Sequence, residues 1–408
     1  MHVLDMLKER GFIAQVTFED DLYKALEREP MTFYLGIDPT ADSLHVGHFM
    51  PIIVAGYLQR AGHRPIILCG GGTAMIGDPS GKSDLRKMMS RETICENVTG
   101  IQAQLSRFLD FSDGKAIMAN NGDWLLNLNY IDFLREVGAL FSVNRMLTAE
   151  CYKRRMETGL TFLEFNYMLM QSYDFLQLFK NYGCRLQIGG DDQWSNMLSG
   201  ADLIRRKEHE DAFALTCKLI MTHDGKKMGK TEKGALWLDP ARTTPFEFYQ
   251  YWRNVGDQDV ERFLSLLTLL PMDEVRRLGA LEGAEINQAK RVLAFEVTKL
   301  VHGEDEAQKA QDAADALFSG GGRAGSTPTT SVTREELASD SRLISLAVKC
   351  ALCKSNGDAR KTIQAGGLYI GDEKVADVDF TVTPDMLEGE GLLLRKGKKN
   401  YHLLVLAQ

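Results

Sequence analysis

The sequence predicts an α/β protein built on a parallel sheet, followed by an all-helical stretch and a small α+β module. Three observations carry this. Thr32 to Asp38 alternates apolar and small residues as a short buried strand does, and a helical pattern follows within a few residues. Arg64-Pro-Ile-Ile-Leu-Cys69 is a continuous apolar run that ends in glycines, the pattern of a strand covered on both faces. From about residue 245 strand patterns stop and helical periodicity runs to 318, where the glycine-rich stretch 319–331 reads as a flexible linker.

Residues 1–30 read as amphipathic helix, with Leu4, Leu7, Phe12, Leu22 and Leu26 turned inward. The first strand spans 32–37. Asp38-Pro39-Thr40 ends it, since proline cannot continue a central ladder. Asp42 and Ser43 are good N-cap types, and from about Leu44 the residues Val46, Phe49, Met50, Ile53 and Val54 share a helix face. The second strand is 64–69. Residues 84–112 read as helix, Ile117–Asn120 as strand and Asn121–Trp124 as a turn. Residues 130–148 read as an unusually apolar helix.

Residues 161–180 are helical, with Phe162, Phe165, Met168, Leu169, Phe175 and Leu176 as core candidates. Tyr167, Gln171 and Asp174 stand at i, i+4 and i+7 and share one face. A polar stripe on an apolar helix costs stability unless each group is satisfied, which makes it a good pocket wall. Cys184 to Gln193 is a strand closing in glycines and acids, and 194–208 a helix. Helices are expected at Phe246–Trp252, Val260–Leu269, Asp273–Leu278, Glu285–Val301 and Asp305–Phe318. The tail, 341–408, reads as helices Leu343–Lys354 and Asp358–Gln364, a hairpin at 366–374 and paired strands within 391–406.

Composition bounds the class. With 408 residues the chain is long enough for two or three domains, and 44% hydrophobic with 25% charged residues is ordinary for a globular protein. No apolar run approaches the roughly 20 residues that span a bilayer, and the N-terminus has no apolar signal core. Seven scattered cysteines, an odd number, argue against a disulfide framework and for a reducing cytoplasm. Cys350-x-x-Cys353 lies in an apolar helical pattern with no second pair nearby and reads as core. The net charge of −8 disfavours a nucleic-acid binder as a whole, but 341–408 holds 10 basic against 8 acidic residues. A local basic patch binds RNA despite an acidic whole.

The chemistry concentrates in two stretches. In Asp38-Pro-Thr-Ala-Asp-Ser-Leu-His-Val-Gly-His48 a strand, a tight loop and a helix opening meet, and such an opening presents orphan N–H groups and the positive dipole end to an anion. His45 and His48 share a helix face, and Gly47 removes a side chain where a flat ligand would lie against the backbone. As a zinc half-site the pair lacks further ligands at a suitable spacing; as ordinary surface histidines it would need no partner motif. The second stretch, Lys226-Lys-Met-Gly-Lys-Thr231, places glycine between lysines in a turn suited to phosphates. Alone it is a common solvated charge run; the two stretches together are far more specific. Two other phosphate motifs fail: Met75 occupies the third glycine position of Gly-x-Gly-x-x-Gly, and Ile76 stands where a P-loop's first glycine belongs.

These residues resemble a known family. Pro39 to His48 matches the "HIGH" signature of class I aminoacyl-tRNA synthetases, and Lys227 to Thr231 their "KMSKS" loop, with Gly-Lys-Thr in place of Ser-Lys-Ser. Tyr34-x-Gly-x-Asp-Pro-Thr40, with Tyr167-x-x-x-Gln171-x-x-Asp174, resembles the bacterial-type tyrosyl-tRNA synthetases over essentially the whole chain. The resemblance implies a Rossmann-like catalytic domain over 1–220 with a dimer-interface insertion at about 121–160. It further implies a lysine loop and α-helical anticodon-side domain over 221–318, a linker over 319–340, and an RNA-binding domain over 341–408 similar to small-subunit ribosomal protein four.

The residue roles follow from the same resemblance. Thr40 and His45 would contact the γ-phosphate, and His48 with Gly47 would hold the nucleotide, with Asp38 also on the ATP and Asp192 on its ribose. Lys227, Lys230 and Thr231 would close over the pyrophosphate. Tyr34 and Asp174 would take the substrate's phenolic hydroxyl, and Asp78, Tyr167 and Gln171 its ammonium, with Gln193 lining the same cavity. Asp191 doubles the acid before Asp192 and leaves open which one faces the ribose. Lys349, Lys354, Arg360 and Lys361, with Arg395, Lys396, Lys398 and Lys399, are candidate phosphate contacts to tRNA. The implied partners are tRNA(Tyr), L-tyrosine, ATP with Mg²⁺ as a substrate complex, and a second copy of the chain, with no tightly bound cofactor, no structural metal and no membrane. Two rivals remain at this point. A tryptophanyl or other class I synthetase is disfavoured because indole offers only a donor to Tyr34 and Asp174. An RNA-binding protein on a synthetase scaffold is disfavoured by complete phosphate motifs.

Overall fold

The computed structural model of the chain describes residues 1–78, 90–225, 228–231, 234–318, 328–371, 373–387, 391–397 and 400–407. They form two compact units, 1–244 with 251–302, and 245–250 with 303–408.

The first unit is built on a six-stranded sheet. Its strands are β1 (Ile13–Val16), β2 (Thr32–Ile37), β3 (Arg64–Cys69), β4 (Ile117–Asn120), β5 (Cys184–Gly190) and β6 (Phe213–Cys217), in the spatial order β1-β6-β5-β2-β3-β4. Five strands are parallel and β1 is an antiparallel edge on β6. Strand order reverses between β2 and β5, the switch point at whose carboxyl edge open α/β sheets bind ligands. The expected strands at 32–37, 64–69 and 117–120 are all present. Two strands are additions: β1 interrupts the helix expected over 1–30, leaving α1 (Val3–Glu9) and α2 (Glu19–Arg28), and β6 supplies the fifth parallel strand. β1 pairs through a register shift and none of its residues is fully buried, so it lacks a clean alternation.

Helix α3 (Phe49–Arg60) follows a 3₁₀ turn at Val46–His48 and packs on β2, β3, β5 and β6. The expected inward face is buried, but so are Ile52, Ala55 and Leu58, because a helix lying across a parallel sheet is covered nearly all round. The next helices are α4 (Arg91–Leu105), α5 (Gly122–Leu125), α6 (Tyr130–Glu136), α7 (Val143–Leu147), α8 (Glu150–Thr158), α9 (Phe162–Phe165), α10 (Tyr167–Tyr182) and α11 (Trp194–Glu208). Three expectations are corrected here. Residues 122–125 form a short helix rather than a turn, the helix expected over 130–148 breaks between Glu136 and Val143, and Phe162, a core candidate, is 69% exposed. The short hairpin β7 (Lys230–Thr231) and β8 (Gly234–Ala235) comes next. Helix α12 is Pro245–Arg253; α13 (Val260–Leu267), α14 (Met272–Gly279) and α15 (Ile286–His302) complete this part of the chain.

The second unit carries α16 (Glu304–Phe318) and a five-stranded sheet of β9 (Thr329–Val332), β10 (Leu368–Ile370), β11 (Glu373–Lys374), β12 (Leu392–Lys396) and β13 (Asn400–Leu406), in the order β11-β10-β12-β13-β9. Residues 329–331, expected in the linker, pair in parallel with β13 instead; 319–327 lie outside the described residues. Helices α17 (Arg334–Ser339), α18 (Leu343–Lys349) and α19 (Asn356–Gln364) cover the sheet. α18 ends before the expected Lys354, because Ala351 takes a left-handed φ of 56° and the N–H groups of Leu352 and Cys353 both return to Ala347 O. Cys350 and Cys353 are buried in the core of this unit as free thiols.

Candidate active site

Backbone hydrogen bonds bring the two signature stretches together. Val46 N donates to Leu236 O (3.0 Å), Leu238 N to Leu44 O (2.9 Å) and Leu236 N to Gly229 O (2.7 Å). Residues nearly two hundred positions apart thus share one small ladder. Gly229 has φ +85°, and a Cβ there would stand 3.0 Å from Val46 Cβ, so only glycine suits this crossing.

The histidine pair is set by this turn. His45 caps the 3₁₀ turn at 46–48: its Nδ1 accepts from Gly47 N at 3.0 Å, and His48 Nδ1 accepts from His45 N at 3.2 Å. With both Nδ1 atoms accepting, each neutral ring carries its proton on Nε2. Two Nε2–H donors on stacked rings, centroids 4.1 Å apart, suit an anion. A Cβ on Gly47 would meet His45 Cε1 at 2.6 Å, so the glycine is needed for the ring as well as for a ligand.

The pair stands at the edge of a cavity of about 590 Å³ at the β2/β5 switch point. Tyr34, Asp38, Thr40, Gly47, Asp78, Tyr167, Gln171, Asp174, Asp192 and Gln193 line it together with His45 and His48. Lys227 lies outside the described residues; Lys230 and Thr231 are described as backbone, in β7.

At the deep end one hydrogen-bonded chain runs through six residues. Tyr167 donates its hydroxyl hydrogen to Asp38 Oδ2 (2.9 Å), and Thr73 Oγ1 donates to Asp38 Oδ1 (2.8 Å). Asn121 Nδ2 donates to Thr73 Oγ1 (3.0 Å) and to Asp174 Oδ2 (2.9 Å), and Trp124 Nε1 to Asp174 Oδ1 (2.7 Å). The Asp38 carboxylate therefore sits beside Tyr167. A Cβ on Gly70 would fall 2.0 Å from that carboxylate, so the close strand end depends on glycine. Gln193 Nε2 donates to Asp78 Oδ2 (2.7 Å).

Burial pushes the Asp174 carboxyl up to about 7; Asn121 and Trp124 pull the other way, and the charge of Asp38 adds to the rise. Burial and the nearby Asp174 charge hold the Tyr34 hydroxyl well above its ordinary value, so it stays protonated. Tyr34 OH, Gln171 Oε1 and Gln187 Oε1 are buried yet find no partner among the described residues. Unpaired buried polar atoms are costly, and three in one cavity mark where a ligand's polar groups belong.

The two acids of the doublet point in different directions. Asp191 Oδ1 accepts from Gln15 Nε2 and Thr216 Oγ1, both at 2.8 Å, and is turned toward β1 and β6. Asp192 is exposed and lines the cavity.

The sequence reading missed Thr73, Asn121, Trp124 and Gln187. The first three act through a network with no local spacing. Gln187 had a signal, since it is a polar residue between Leu186 and Ile188 in a central strand and stands beside Tyr34 in register. In the second unit Lys354, Arg360 and Lys361 are exposed, while Lys349 pairs with Glu336 (2.6 Å) and Lys396 with Asp358 (3.0 Å). Arg395 lies over the Tyr369 ring at 3.8 Å; Lys398 and Lys399 lie outside the described residues.

Comparison with known proteins agrees with this geometry. Residues 26–319 match the family model of class I tRNA synthetases (W and Y), and residues 324–404 match the tyrosine–tRNA ligase SYY-like C-terminal domain. The chain is 58% identical over 408 residues to a tyrosine–tRNA ligase of Caldanaerobacter subterraneus subsp. tengcongensis, covering 100% of each. It is 57% identical over 405 residues to that of Clostridium tetani, covering 99% of each. The crystal structure of a C-terminally truncated mitochondrial tyrosyl-tRNA synthetase from Aspergillus nidulans superposes with a TM-score of 0.70 at 29% identity, over 78% of this chain and 94% of that one. On its signatures, its fold and these matches, the chain belongs to the class I aminoacyl-tRNA synthetases, in the tyrosine–tRNA ligase family.

Proposed function

We propose that the chain activates L-tyrosine with ATP to tyrosyl-adenylate and pyrophosphate, and then transfers the tyrosyl group to the 3′ end of tRNA(Tyr). The observation that carries the tyrosine assignment is the set of buried atoms at the cavity's deep end, Tyr34 OH and the Asp174 carboxylate with Gln171 Oε1 nearby. The substrate's phenol donates to Asp174 and accepts from Tyr34. Phenylalanine would leave Tyr34 OH without a partner and offer Asp174 no donor, a source of discrimination for which tyrosyl synthetases are themselves the usual illustration. The ammonium group meets Asp78, Gln171 and Tyr167. Because the Tyr167 hydroxyl spends its hydrogen on Asp38, its oxygen faces the substrate as an acceptor.

One tyrosine carboxylate oxygen attacks the α-phosphorus of ATP; the new O–P bond forms as the bond to pyrophosphate breaks. The site contributes position and charge stabilisation and needs no protein nucleophile. His45 and His48 offer Nε2–H donors, with Thr40 beside them, while Gly47 and Asp38 border the nucleotide and Asp192 takes its ribose hydroxyls. Lys227, Lys230 and Thr231 balance the charge leaving on pyrophosphate. Mg²⁺ would come with the ATP and would shield the triphosphate charge, with few protein ligands of its own. In the second step the terminal ribose hydroxyl of tRNA attacks the adenylate's carbonyl and AMP leaves.

Seven of the thirteen exposed large hydrophobics among the described residues fall between 126 and 163: Leu126, Tyr130, Ile131, Val143, Met156, Phe162 and Leu163. A face of this kind supports a homodimer through the 121–160 insertion. The buried Arg155–Glu164 pair (2.7 Å), with Glu164 also capping Thr161, fixes the corner that presents Phe162. Lys354, Arg360 and Lys361 of the second unit serve tRNA. No helix among the described residues is long and apolar enough to cross a membrane, and free cysteines suit a cytoplasmic setting.

The test is ATP–pyrophosphate exchange with each standard amino acid in turn. Tyrosine alone should support exchange; another amino acid would remove the pocket assignment, and none at all would leave an RNA-binding role. Reversing the charges of Lys354, Arg360 and Lys361 together should spare exchange and weaken tRNA charging.

A further inference from the structure

The segment 251–262 grips the second signature on both sides without touching the cavity. On the side where the chain enters, Asp259 is 2% exposed, a costly position for a carboxylate unless it is paired. Its Oδ1 accepts from Arg262 at 2.6 Å and its Oδ2 faces His223 Nδ1 at 3.2 Å. The Arg262 guanidinium also donates to Met221 O. Asp259 therefore holds the backbone at 221–223 by two routes, one through a side chain and one through a carbonyl. On the side where the chain returns, Gly229 N donates to the Tyr251 hydroxyl (2.9 Å), and that hydroxyl points its own hydrogen at Met228 Sδ (3.5 Å). Met228 N donates to Ile220 O (2.9 Å) and joins the two sides.

These four side chains share two properties. None of them lines the cavity, and each contacts backbone or side-chain atoms within a few residues of the lysine signature. The buried acid faces two nitrogen-bearing side chains, Arg262 and His223, that reach it from different segments. A carboxylate needed only for the stability of α13 could be satisfied from its own helix, as Arg262 at i+3 already does. The second, longer-range partner, His223, is itself half exposed and adds little burial.

We infer that Asp259, acting through His223 and Arg262, and Tyr251, acting through Gly229, are positioning residues for the activation step: they set the backbone from which the lysine signature departs and to which it returns. The inference rests on the adenylate-forming reading of the site. A charge-assisted contact to leaving pyrophosphate is sensitive to placement, and an error near 1 Å costs up to about 100-fold in rate.

The experiment uses the full chain and three variants. His223→Leu removes the group facing Asp259 at a half-exposed position. His223→Gln keeps an N–H donor there. Tyr251→Phe removes only the hydroxyl at Gly229. The readouts are kcat and KM for tyrosine and for ATP in pyrophosphate exchange, tyrosine affinity without ATP, and the thermal midpoint. His223→Leu and Tyr251→Phe should each lower kcat by about 10-fold or more, with tyrosine affinity and KM for tyrosine unchanged, and His223→Gln should recover most of the rate. Wild-type kcat in both disruptive variants would overturn the inference. So would a loss of rate that comes with weaker tyrosine binding and a lowered midpoint, the mark of a merely structural contact. A wild-type chain that does not exchange with tyrosine would instead overturn the functional reading on which the inference stands.

Discussion

The two ends of the cavity are built by different means. The end proposed for the nucleotide is made of contiguous signature residues whose backbone does much of the work: the turn at 45–48 fixes both imidazoles, and main-chain bonds at Leu44, Val46, Leu236 and Gly229 hold the signatures side by side. The end proposed for tyrosine is made of side chains from α10, from α5 with its preceding Asn121, and from the turns that follow β2 and β3, joined in a chain from Tyr167 to Trp124. On the proposed function the first end handles charge that moves during the reaction, and the second recognises one hydroxyl that does not. Rigid side-chain networks suit recognition, because a mismatched substrate strands groups that cannot rotate to find another partner.

The largest expected effect tests the nucleotide end. Lys230→Ala should lower kcat for pyrophosphate exchange by roughly 10³-fold, the scale of a lost transition-state donor, and leave tyrosine affinity nearly unchanged. Pre-steady-state exchange with equilibrium tyrosine binding measures both. An unchanged rate would take the lysine out of the mechanism and collapse the contrast between the two ends.

Next in size is Asp174→Asn, which should relax discrimination. The tyrosine-to-phenylalanine ratio of kcat/KM should fall by at least about 10-fold, since an amide cannot accept from the phenol as a carboxylate does. An unaltered ratio would sink the pocket assignment. The same residue gives a pH dependence. Its carboxyl is raised to about 7, and the ionised form is the better acceptor for the phenol. KM for tyrosine should therefore rise as pH falls through about 7, and Asp174→Asn should flatten that step. For folding the sign is opposite. A raised acid gives its full stability below the ordinary carboxyl range and loses it as pH climbs toward 7. The thermal midpoint of the ligand-free chain should fall over that window, and saturating tyrosine should offset the fall.

The contrast also explains what could be read in advance. Strands 32–37 and 64–69 were legible because a buried parallel strand must be a short apolar run, and 117–120 because it is a short, mostly apolar segment although it is only half-buried at the sheet edge. His45, His48 and the lysine signature were legible because each signature occupies contiguous residues. The stripe of Tyr167, Gln171 and Asp174 was legible because helical spacing puts it on one face. Asn121 and Trp124 were not: their role depends on α5 ending against α10 some fifty residues on, and the stretch itself reads as a turn. β1 was hidden because its residues are neither fully buried nor cleanly alternating, and Phe162 was misplaced because an exposed aromatic on an apolar helix face has the same spacing as a core residue.

Trp124→Phe tests that hidden network at a smaller scale. It keeps the ring and removes one donor to Asp174, a bond to a charged group worth about 1.5–3 kcal/mol. KM for tyrosine should rise about 10-fold with kcat little changed, and the carboxyl should titrate higher still, moving the pH step upward. No change in either would mean that Asn121 alone orders the carboxylate.

The smallest effect discriminates the paired acids. Asp192 faces the cavity, so Asp192→Asn should raise KM for ATP by about 10-fold through a lost charge-assisted contact to the ribose. Asp191 is turned away, with one oxygen already accepting from Gln15 and Thr216. An amide at Asp191→Asn can still present a carbonyl oxygen to those two donors, so KM for ATP and for tyrosine should each move by less than about 3-fold. Steady-state exchange with ATP varied at saturating tyrosine measures both variants. If Asp191→Asn proved the more damaging, β5 would have to end with the other carboxylate in the cavity, and the ribose would be held by a residue that the edge strand β1 positions.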